Sequence, residues 1–269
     1  MFREVIRYEN FPSKFIEARH VDVWLPPGYE QSPSKRFPVI YMHDGQNLFD
    51  PHLSFIGVAW GVDQMMVKLI NEQKIREAIV VGVWNTENRF AEYMPQKVVT
   101  GTNMKLHVED SPVLLCDQII SDNYLKFLVD ELKPFMDTTH KTLLGPQDTF
   151  IMGSSMGGLI SAYAVCEYPA IFGGAGCLST HWPAGNGMVI EYLRNHLPDP
   201  GTHRFYFDYG TETLDADYEP YQKKMDEVVR NAGYIEGKSF VTKKFDGAEH
   251  SERAWSERVD QPLIFFLEK

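Results

Sequence analysis

The chain has 269 residues, of which 43% are hydrophobic and 23% charged, so it can bury a full core and is not an intrinsically disordered protein. Its 26 Lys and Arg against 37 Asp and Glu give a net charge of −11, which argues against nucleic acid or an anionic membrane as the main partner. No repeat, flexible linker or charge block divides the chain. We therefore expect a single domain spanning residues 1–269.

The cysteines and the N-terminal segment bear on the cellular compartment. The three cysteines, Cys116, Cys166 and Cys177, are an odd number and form no CxxC pair, so a disulfide framework or a cysteine-based zinc site is not expected. The N-terminal segment lacks the apolar run of a signal peptide, and no stretch approaches the ~18 apolar residues of a membrane span. We expect a cytoplasmic protein. The absence of HExxH and of a G-x-G-x-x-G after the first strand predicts no metal and no cofactor.

Short runs rich in β-branched and aromatic residues alternate with longer amphipathic stretches along the chain. The predicted strands, in chain order, are His20–Leu25, Phe37–Met42, Ala78–Trp84, Thr149–Met152, Phe172–Leu178, Arg204–Tyr209 and Ser239–Phe245. The predicted helices are Asp122–Met136, Met156–Glu167, Met188–His196, Glu219–Asn231 and Glu252–Leu267. This alternation predicts an α/β fold with a mostly parallel sheet and helices on both faces. Before His43, successive strands joined by Pro and Gly turns predict an antiparallel edge.

A long stretch between Asn85 and Gln118 shows no clear periodicity. Connections of that length in a compact domain are usually functional or mobile. We expect residues 85–118 to form a lid or a wall of the substrate site.

The strongest motif is a G-x-S-x-G pattern, Gly153-Ser154-Ser155-Met156-Gly157. A predicted strand precedes it and a predicted helix follows it, which is the strand–turn–helix setting of a nucleophile elbow. In such an elbow the glycines let the backbone turn sharply, and the serine Oγ projects beyond the sheet near the N-terminus of the helix. The spacing selects Ser155 as the nucleophile over its neighbour Ser154.

A serine nucleophile requires a base, and hydrolases with this elbow carry an acid and then a histidine later in the chain. His250 is the preferred base, because Gly247-Ala248-Glu249-His250 follows the last predicted strand and precedes a helix. The imidazole would then lie at the same sheet edge as Ser155. His181 also follows a strand, and it stays open as a substrate contact.

The acid is expected after the strand that precedes this histidine, where four carboxylates lie between positions 208 and 217. A carboxylate placed against His250 would fix the imidazole tautomer and stabilise the imidazolium ion. Asp215 is preferred because Leu214 and Ala216 can pack on either side of it. Glu212 lies closer to the strand end and remains the alternative.

Two backbone amides are needed to stabilise the oxyanion. One is the amide of Met156, directly after the nucleophile, and the other comes from the loop after the third sheet strand. In that loop, His43-Asp44-Gly45-Gln46-Asn47, the glycine permits close backbone approach, and Gln46 is our choice for the second amide. An ordinary Asp-Gly bend remains the alternative for this loop.

With these residues assembled, the chain resembles the putative esterase family of α/β-hydrolases, which includes esterase D and enterochelin esterase-like proteins. The resemblance rests on Tyr41-Met42-His43-Asp44-Gly45-Gln46-Asn47-Leu48-Phe49-Asp50, on the elbow, and on Gly247-Ala248-Glu249-His250 with Trp255 after it. It implies hydrolysis of carboxylic esters, such as acyl groups on plant polysaccharides, siderophore lactones or S-formylglutathione. Relatives often carry the acid in a G-T-x-D or G-T-x-E turn, where this chain has Thr213.

The resemblance also implies substrate contacts. An R-x-x-E-Y-like segment in relatives suggests that Arg89 and Tyr93 shape the pocket, although an ion pair between Arg and Glu bracing the loop is an equal alternative. Independently of the resemblance, Trp182, directly after His181, is a candidate for stacking on a sugar or an aromatic acyl group, or for filling the edge of the core.

We predict a serine carboxylic ester hydrolase acting on a small-molecule, carbohydrate or siderophore-type ester. The alternatives are an acyltransferase of the same fold, in which an acceptor alcohol outcompetes water, and a carbohydrate-binding relative without catalysis. The intact pair of Ser155 and His250 argues against the last of these.

Overall fold

The computed structural model describes residues 5–31, 33–100 and 118–269, together with the backbone of residues 105–106 and 114–115. Cys116 lies outside the described residues, as does most of the second half of the predicted lid, residues 85–118.

Among the described residues, eight strands form one sheet and two short strands form a separate antiparallel pair. In chain order they are Ile6–Phe11 (β1), Arg19–Trp24 (β2), Val39–His43 (β3), Ile79–Val83 (β4), Lys105–Leu106 (β5), Leu114–Leu115 (β6), Thr149–Ser154 (β7), Gly174–Leu178 (β8), Arg204–Tyr209 (β9) and Phe240–Lys244 (β10). The large sheet has the order β1-β2-β4-β3-β7-β8-β9-β10, and β5 pairs with β6. In the large sheet, the neighbouring strands β4-β3-β7-β8-β9-β10 all pair in parallel, while β1–β2 and β2–β4 are antiparallel. The predicted mostly parallel sheet with one antiparallel edge is therefore confirmed.

The helices lie between the strands and after the last one. They are Val62–Asn71 (α1), Arg89–Tyr93 (α2), Gln96–Val99 (α3), Ser121–Lys126 (α4), Lys133–Thr139 (α5), Met156–Glu167 (α6), Met188–Arg194 (α7), Glu219–Asn231 (α8), Glu252–Ser256 (α9) and Asp260–Leu267 (α10). A π-helical stretch, Phe127–Leu132, joins α4 to α5.

The core has two layers because side chains alternate across the pleated sheet. On β3, Val39 and Tyr41 belong to the cluster on one face, while Ile40 and Met42 belong to the cluster on the other. Residues of α6 and α7 pack in the first cluster, and residues of α1 and α10 pack in the second. Helices cover both faces, so the central strands are buried throughout their length, as is usual for parallel sheets.

The structure differs from the sequence-based prediction at both ends of the chain. The prediction missed β1, an edge strand whose residues are mostly exposed and whose burial does not alternate along the strand. The predicted helix Glu252–Leu267 is two helices, α9 and α10. Pro262 explains the break, because a proline has no N–H to donate and its ring clashes with the carbonyl four residues earlier.

Candidate active site

Ser155 lies at the sharp turn between β7 and α6. Its φ of 56° and ψ of −121° are a strained conformation for a residue with a side chain. The turn is held by the neighbouring strand, since the Ser155 amide donates to Leu178 O at 2.9 Å and the His181 amide donates to Ser155 O at 3.2 Å. A Cβ added at Gly153 would lie 3.0 Å from the carbonyl carbon of Gly157. Glycine at that position therefore lets the strand and the helix approach closely enough to form the elbow.

Backbone strain recurs where the strands end next to this turn. Asp44 follows β3 with a φ of 56°, Ser179 follows β8 with a φ of 40°, and Thr213 follows β9 with a φ of 53°. Strained residues persist where the surrounding structure holds them, and they concentrate at functional sites. Residues with strained backbone conformations are thus concentrated at the carboxyl edge of the parallel strands.

His250 follows β10 and is hydrogen-bonded to the acid predicted for it. Its Nδ1 lies 2.6 Å from Oδ1 of Asp215. The backbone amide of His250 donates to Thr213 Oγ1 at 2.8 Å, which fixes the loop, and the Trp255 ring packs edge-on at 5.0 Å. The side chain of His250 is 9% exposed and that of Asp215 is fully buried. Glu212, the alternative acid, is exposed.

The second oxygen of Asp215 is also fully engaged. Its Oδ2 accepts hydrogen bonds from the Gly210 amide at 2.6 Å and from Ser179 Oγ at 2.5 Å. Ser179 Oγ in turn accepts from Trp255 Nε1 at 3.0 Å and from Arg258 Nη2 at 2.7 Å. Sequence reasoning did not identify Ser179 and Arg258, since neither belongs to a motif.

The pKa of Asp215 lies below its ordinary value despite burial. Burial alone would raise this pKa, but the hydrogen bond and charge of His250, and then the bonds from Ser179 and the Gly210 amide, lower it. Hydrogen bonds to the charged form of a carboxyl favour that form. Asp215 is therefore an ionised carboxylate, and its orientation is fixed by the hydrogen bonds from Ser179 and the Gly210 amide.

His181, which the sequence left open as a substrate contact, lies near His250 and hydrogen-bonds away from Asp215. Its Nδ1 is 2.5 Å from the hydroxyl of Tyr218. Burial, followed by the charges of His250 and Arg89, lowers the pKa of His181 to about 4. His181 is therefore neutral at ordinary pH.

A pocket of about 470 Å³ opens at this edge of the sheet, and its lining includes Ser155, His250, Gln46, Arg89, Asn47 and Glu252. Larger cavities of about 560 and 800 Å³ lie elsewhere on the surface and contain neither Ser155 nor His250. We take the smaller pocket as the candidate site because it joins the strained serine to the imidazole.

The two predicted amides lie on turns at the same edge. Met156 is the first residue of α6, so its N–H is among the first four amides of a helix, which have no acceptor within the helix. Gln46 is the middle residue of a 3-10 turn, Gly45–Asn47, directly after β3. A Cβ at Gly45 would lie 2.5 Å from the carbonyl carbon of Gly82 on β4. The glycine predicted to allow close approach therefore does so against the neighbouring strand.

The three predicted substrate contacts lie in different environments. Arg89 lines the pocket, and its Nε and Nη2 bind both oxygens of Asp44 at 2.7 and 2.8 Å. The bracing ion pair is thus with Asp44, while Glu92 pairs with Arg19 at 2.6 Å.

The predictions for Tyr93 and Trp182 as substrate contacts are corrected by the structure, because both side chains are fully buried and neither lines the pocket. The ring of Tyr93 packs against those of His43, at 5.1 Å, and Tyr124, at 5.2 Å. Trp182 donates from Nε1 to Gln222 at 2.8 Å and fills the core. The motif and the strand-end position indicated proximity to the site, but they carried no information on burial.

Within the described residues, no group of three or more His, Cys, Asp or Glu side chains is arranged to hold a metal ion. In the same part of the chain, no helix combines the length and the apolar character that crossing a bilayer requires.

Residues 13–266 match the model of the family described as putative esterase. The curated protein YbbA of Bacillus subtilis (strain 168), itself uncharacterised, is 27% identical over an alignment of 202 residues that covers 72% of this chain and 68% of that protein. Among solved structures, the ferulic acid esterase AmCE1/Fae1A of Anaeromyces mucronatus has a TM-score of 0.65 at 20% identity, over 98% of this chain and 88% of that one. The enterochelin esterase of Shigella flexneri has a TM-score of 0.71 at 17% identity, over 97% of this chain and 57% of that one. These likenesses establish a shared α/β-hydrolase fold.

Proposed function

The chain belongs to the putative esterase family and is a carboxylic ester hydrolase, and we propose that it acts through an acyl-enzyme formed on Ser155. The observation that carries the proposal is the 2.6 Å contact between His250 Nδ1 and Asp215, beside a pocket that the strained Ser155 also lines. A nucleophile, a base and a group that orients the base are the parts that such catalysis requires.

In the proposed reaction, Ser155 Oγ attacks the ester carbonyl and His250 Nε2 accepts the serine proton. Asp215 holds the proton on Nδ1, so that Nε2 is the accepting nitrogen, and it stabilises the imidazolium ion. The amides of Met156 and Gln46 donate to the tetrahedral oxyanion, each contributing about 3–4 kcal/mol to lowering the barrier. His250 then protonates the leaving alcohol, and water attacks the acyl-enzyme with His250 again as the base.

The proposed substrate is a small ester of the carbohydrate or siderophore type. Ferulic acid and enterochelin are the compounds named for the structural relatives above, and the pocket of about 470 Å³ lies within the size range of small-molecule sites. A panel of p-nitrophenyl, feruloyl, acetyl-xylan and siderophore esters ranks these classes by kcat/KM. Product analysis with added alcohol measures acyl transfer against hydrolysis.

The nucleophile is tested with Ser155→Ala and its neighbour Ser154→Ala. The first variant is expected to lose ester hydrolysis and labelling by a fluorophosphonate while remaining folded by circular dichroism. Ser154→Ala is expected to keep considerable activity and the label. Full activity in a folded Ser155→Ala protein would refute the assignment.

A further inference from the structure

Glu252 is a buried carboxyl group in the wall of the candidate active site. It is the first residue of α9, lies two positions after His250, and is only 9% exposed. It lines the same pocket as Ser155 and His250. A carboxyl group in this position was not singled out by any sequence motif.

The hydrogen bonding of Glu252 is weak for a buried carboxyl group. Its Oε1 accepts from Asn47 Nδ2 at 3.3 Å, a long hydrogen bond. The side-chain amide of Asn47 cannot rotate to shorten this hydrogen bond, because its Oδ1 accepts from the Phe55 backbone amide at 2.9 Å. A buried ionised carboxyl usually requires a cation or several donors. Glu252 therefore retains acceptor capacity toward the pocket.

The charges around the pocket do not neutralise Glu252. Arg89, the guanidinium in the pocket wall, is bound at two atoms by Asp44, which also accepts from Asn85 Nδ2 at 2.7 Å. Among the described residues, no Lys or Arg lies within 4.0 Å of a Glu252 oxygen. Two carboxylates and one guanidinium thus leave an excess of one negative charge in this wall. Burial raises the pKa of Glu252, its own backbone amide lowers it, the nearby carboxylate of Asp44 raises it, and the charges of Arg89 and His250 lower it; the net shift is upward.

A role at the helix N-terminus does not account for this position. Acidic residues in a first turn are favourable near the helix dipole, but the effect is present at exposed sites too and does not require burial. The cap of α9 is provided separately by Ser251, whose Oγ accepts from the Ala254 amide.

Aromatic side chains lie in the same pocket. Trp255 and Phe55 both contribute to its lining, and Phe55 is 84% exposed. Aromatic faces attract cations, including quaternary ammonium groups, and a nearby carboxylate attracts the same positive charge. The lining thus provides both elements of a cation-binding site next to the nucleophile.

We infer that Glu252 is a substrate-binding residue that selects esters carrying a positively charged nitrogen close to the ester group. The inference rests on the proposed function, and it narrows the substrate class. The cation would supply the counter-charge that the pocket lacks, with the aromatic rings packed against its methyl or methylene groups.

The test uses Glu252→Gln and two pairs of esters of equal shape. One pair, acetylcholine and 3,3-dimethylbutyl acetate, differs by a charge on the alcohol side. The other pair, the p-nitrophenyl esters of trimethylglycine and 3,3-dimethylbutanoic acid, differs by a charge on the acyl side. Gln keeps the size of the side chain and the acceptor for Asn47. The matched control is Glu257→Gln, which removes the same charge from an exposed residue directly after α9.

In at least one pair, Glu252→Gln is expected to lower kcat/KM for the charged ester by about tenfold or more, with a change of less than about threefold for the neutral ester. The control should leave both values unchanged. An equal loss for charged and neutral esters in both pairs would overturn the inference, because Glu252 would then act through the charge of His250. No loss for either ester would also overturn it.

A binding measurement separates this inference from the proposed function. Choline is titrated calorimetrically into the wild-type protein and into Glu252→Gln. Binding at least tenfold weaker to the variant supports the inference whether or not an ester is hydrolysed, and equal affinity or no binding to wild type overturns it. Hydrolysis of the neutral esters and labelling of Ser155 report on the proposed function alone.

Discussion

Replacing Asp215 by Asn is expected to lower kcat by about 10⁴-fold, because the hydrogen bonds around this carboxyl dictate how the new amide must face. The Gly210 amide, 2.6 Å from Oδ2, can only donate. The oxygen of the introduced side-chain amide must therefore take the position of Oδ2. Its NH₂ group is then directed at His250 Nδ1, which lies 2.6 Å from the other oxygen of Asp215.

This orientation selects the wrong histidine tautomer. An NH₂ donor requires an unprotonated Nδ1, so the proton of His250 moves to Nε2, the nitrogen that has to accept the proton of Ser155. Loss of the correct tautomer in the serine protease template costs about 10⁴ in kcat. At 1.36 kcal/mol for each factor of ten, that is about 5.4 kcal/mol in the barrier.

The assay is steady-state hydrolysis of p-nitrophenyl acetate, with circular dichroism to confirm that the variant is folded. Glu212→Gln is the control, since Glu212 lies in the same turn region but is exposed, and it is expected to lose less than tenfold. This reasoning would be refuted if Asp215→Asn kept more than about a tenth of the wild-type kcat, or if Glu212→Gln lost most of its activity. If neither variant is impaired, Ser155 and His250 act as a dyad.

Ser179→Ala removes a hydrogen-bond donor to Asp215 and an acceptor for Trp255 and Arg258. We expect kcat to fall about tenfold with KM little changed, and the free energy of unfolding in urea to fall by about 1–3 kcal/mol. An unchanged kcat would contradict a positioning role for Ser179. Burial lowers the pKa of His43 to about 3. Below about pH 6.5, His43 therefore binds a proton in the unfolded state but stays neutral in the folded state. The free energy of unfolding consequently decreases as the pH falls. Between pH 7.5 and 5, the wild type should lose about 2 kcal/mol more than His43→Gln, and parallel pH profiles of the two proteins would contradict this. Activity should survive both EDTA and reductant, and loss in EDTA that a divalent cation restores would show a metal requirement.

Local sequence signals predicted the elements that build the site. The glycine pattern around Ser155 requires a tight turn wherever it occurs, so the elbow and the bounds of α6, Met156–Glu167, followed from neighbouring residues. The alternation of strands and helices predicted the parallel sheet, because a parallel strand needs a long crossover connection. Parallel strands bring their carboxyl ends to one edge, and this brought the segments of Ser155 and His250 together in the prediction.

Local signals failed where packing between distant segments decides the outcome. Tyr93 and Trp182 follow strands that end at the site, yet both face the core. The edge strand β1, Ile6–Phe11, has mostly exposed side chains and exists because it pairs with β2. No face of the strand is consistently buried, so the core gives no signal for it in the sequence.

The sequence by itself determined the fold class, the elbow at Ser155 and the candidates for its partners, because these depend on residue types at short spacing. Only the tertiary structure decided that Asp215 contacts His250 while Glu212 is exposed, and that Glu252 is buried in the pocket with no Lys or Arg of the described residues within 4.0 Å of its carboxylate. A carboxylate's role depends on its distance to groups tens of residues away, on its burial and on the charges that face it. Those quantities come into existence only when β9, β10 and α9 pack against one another.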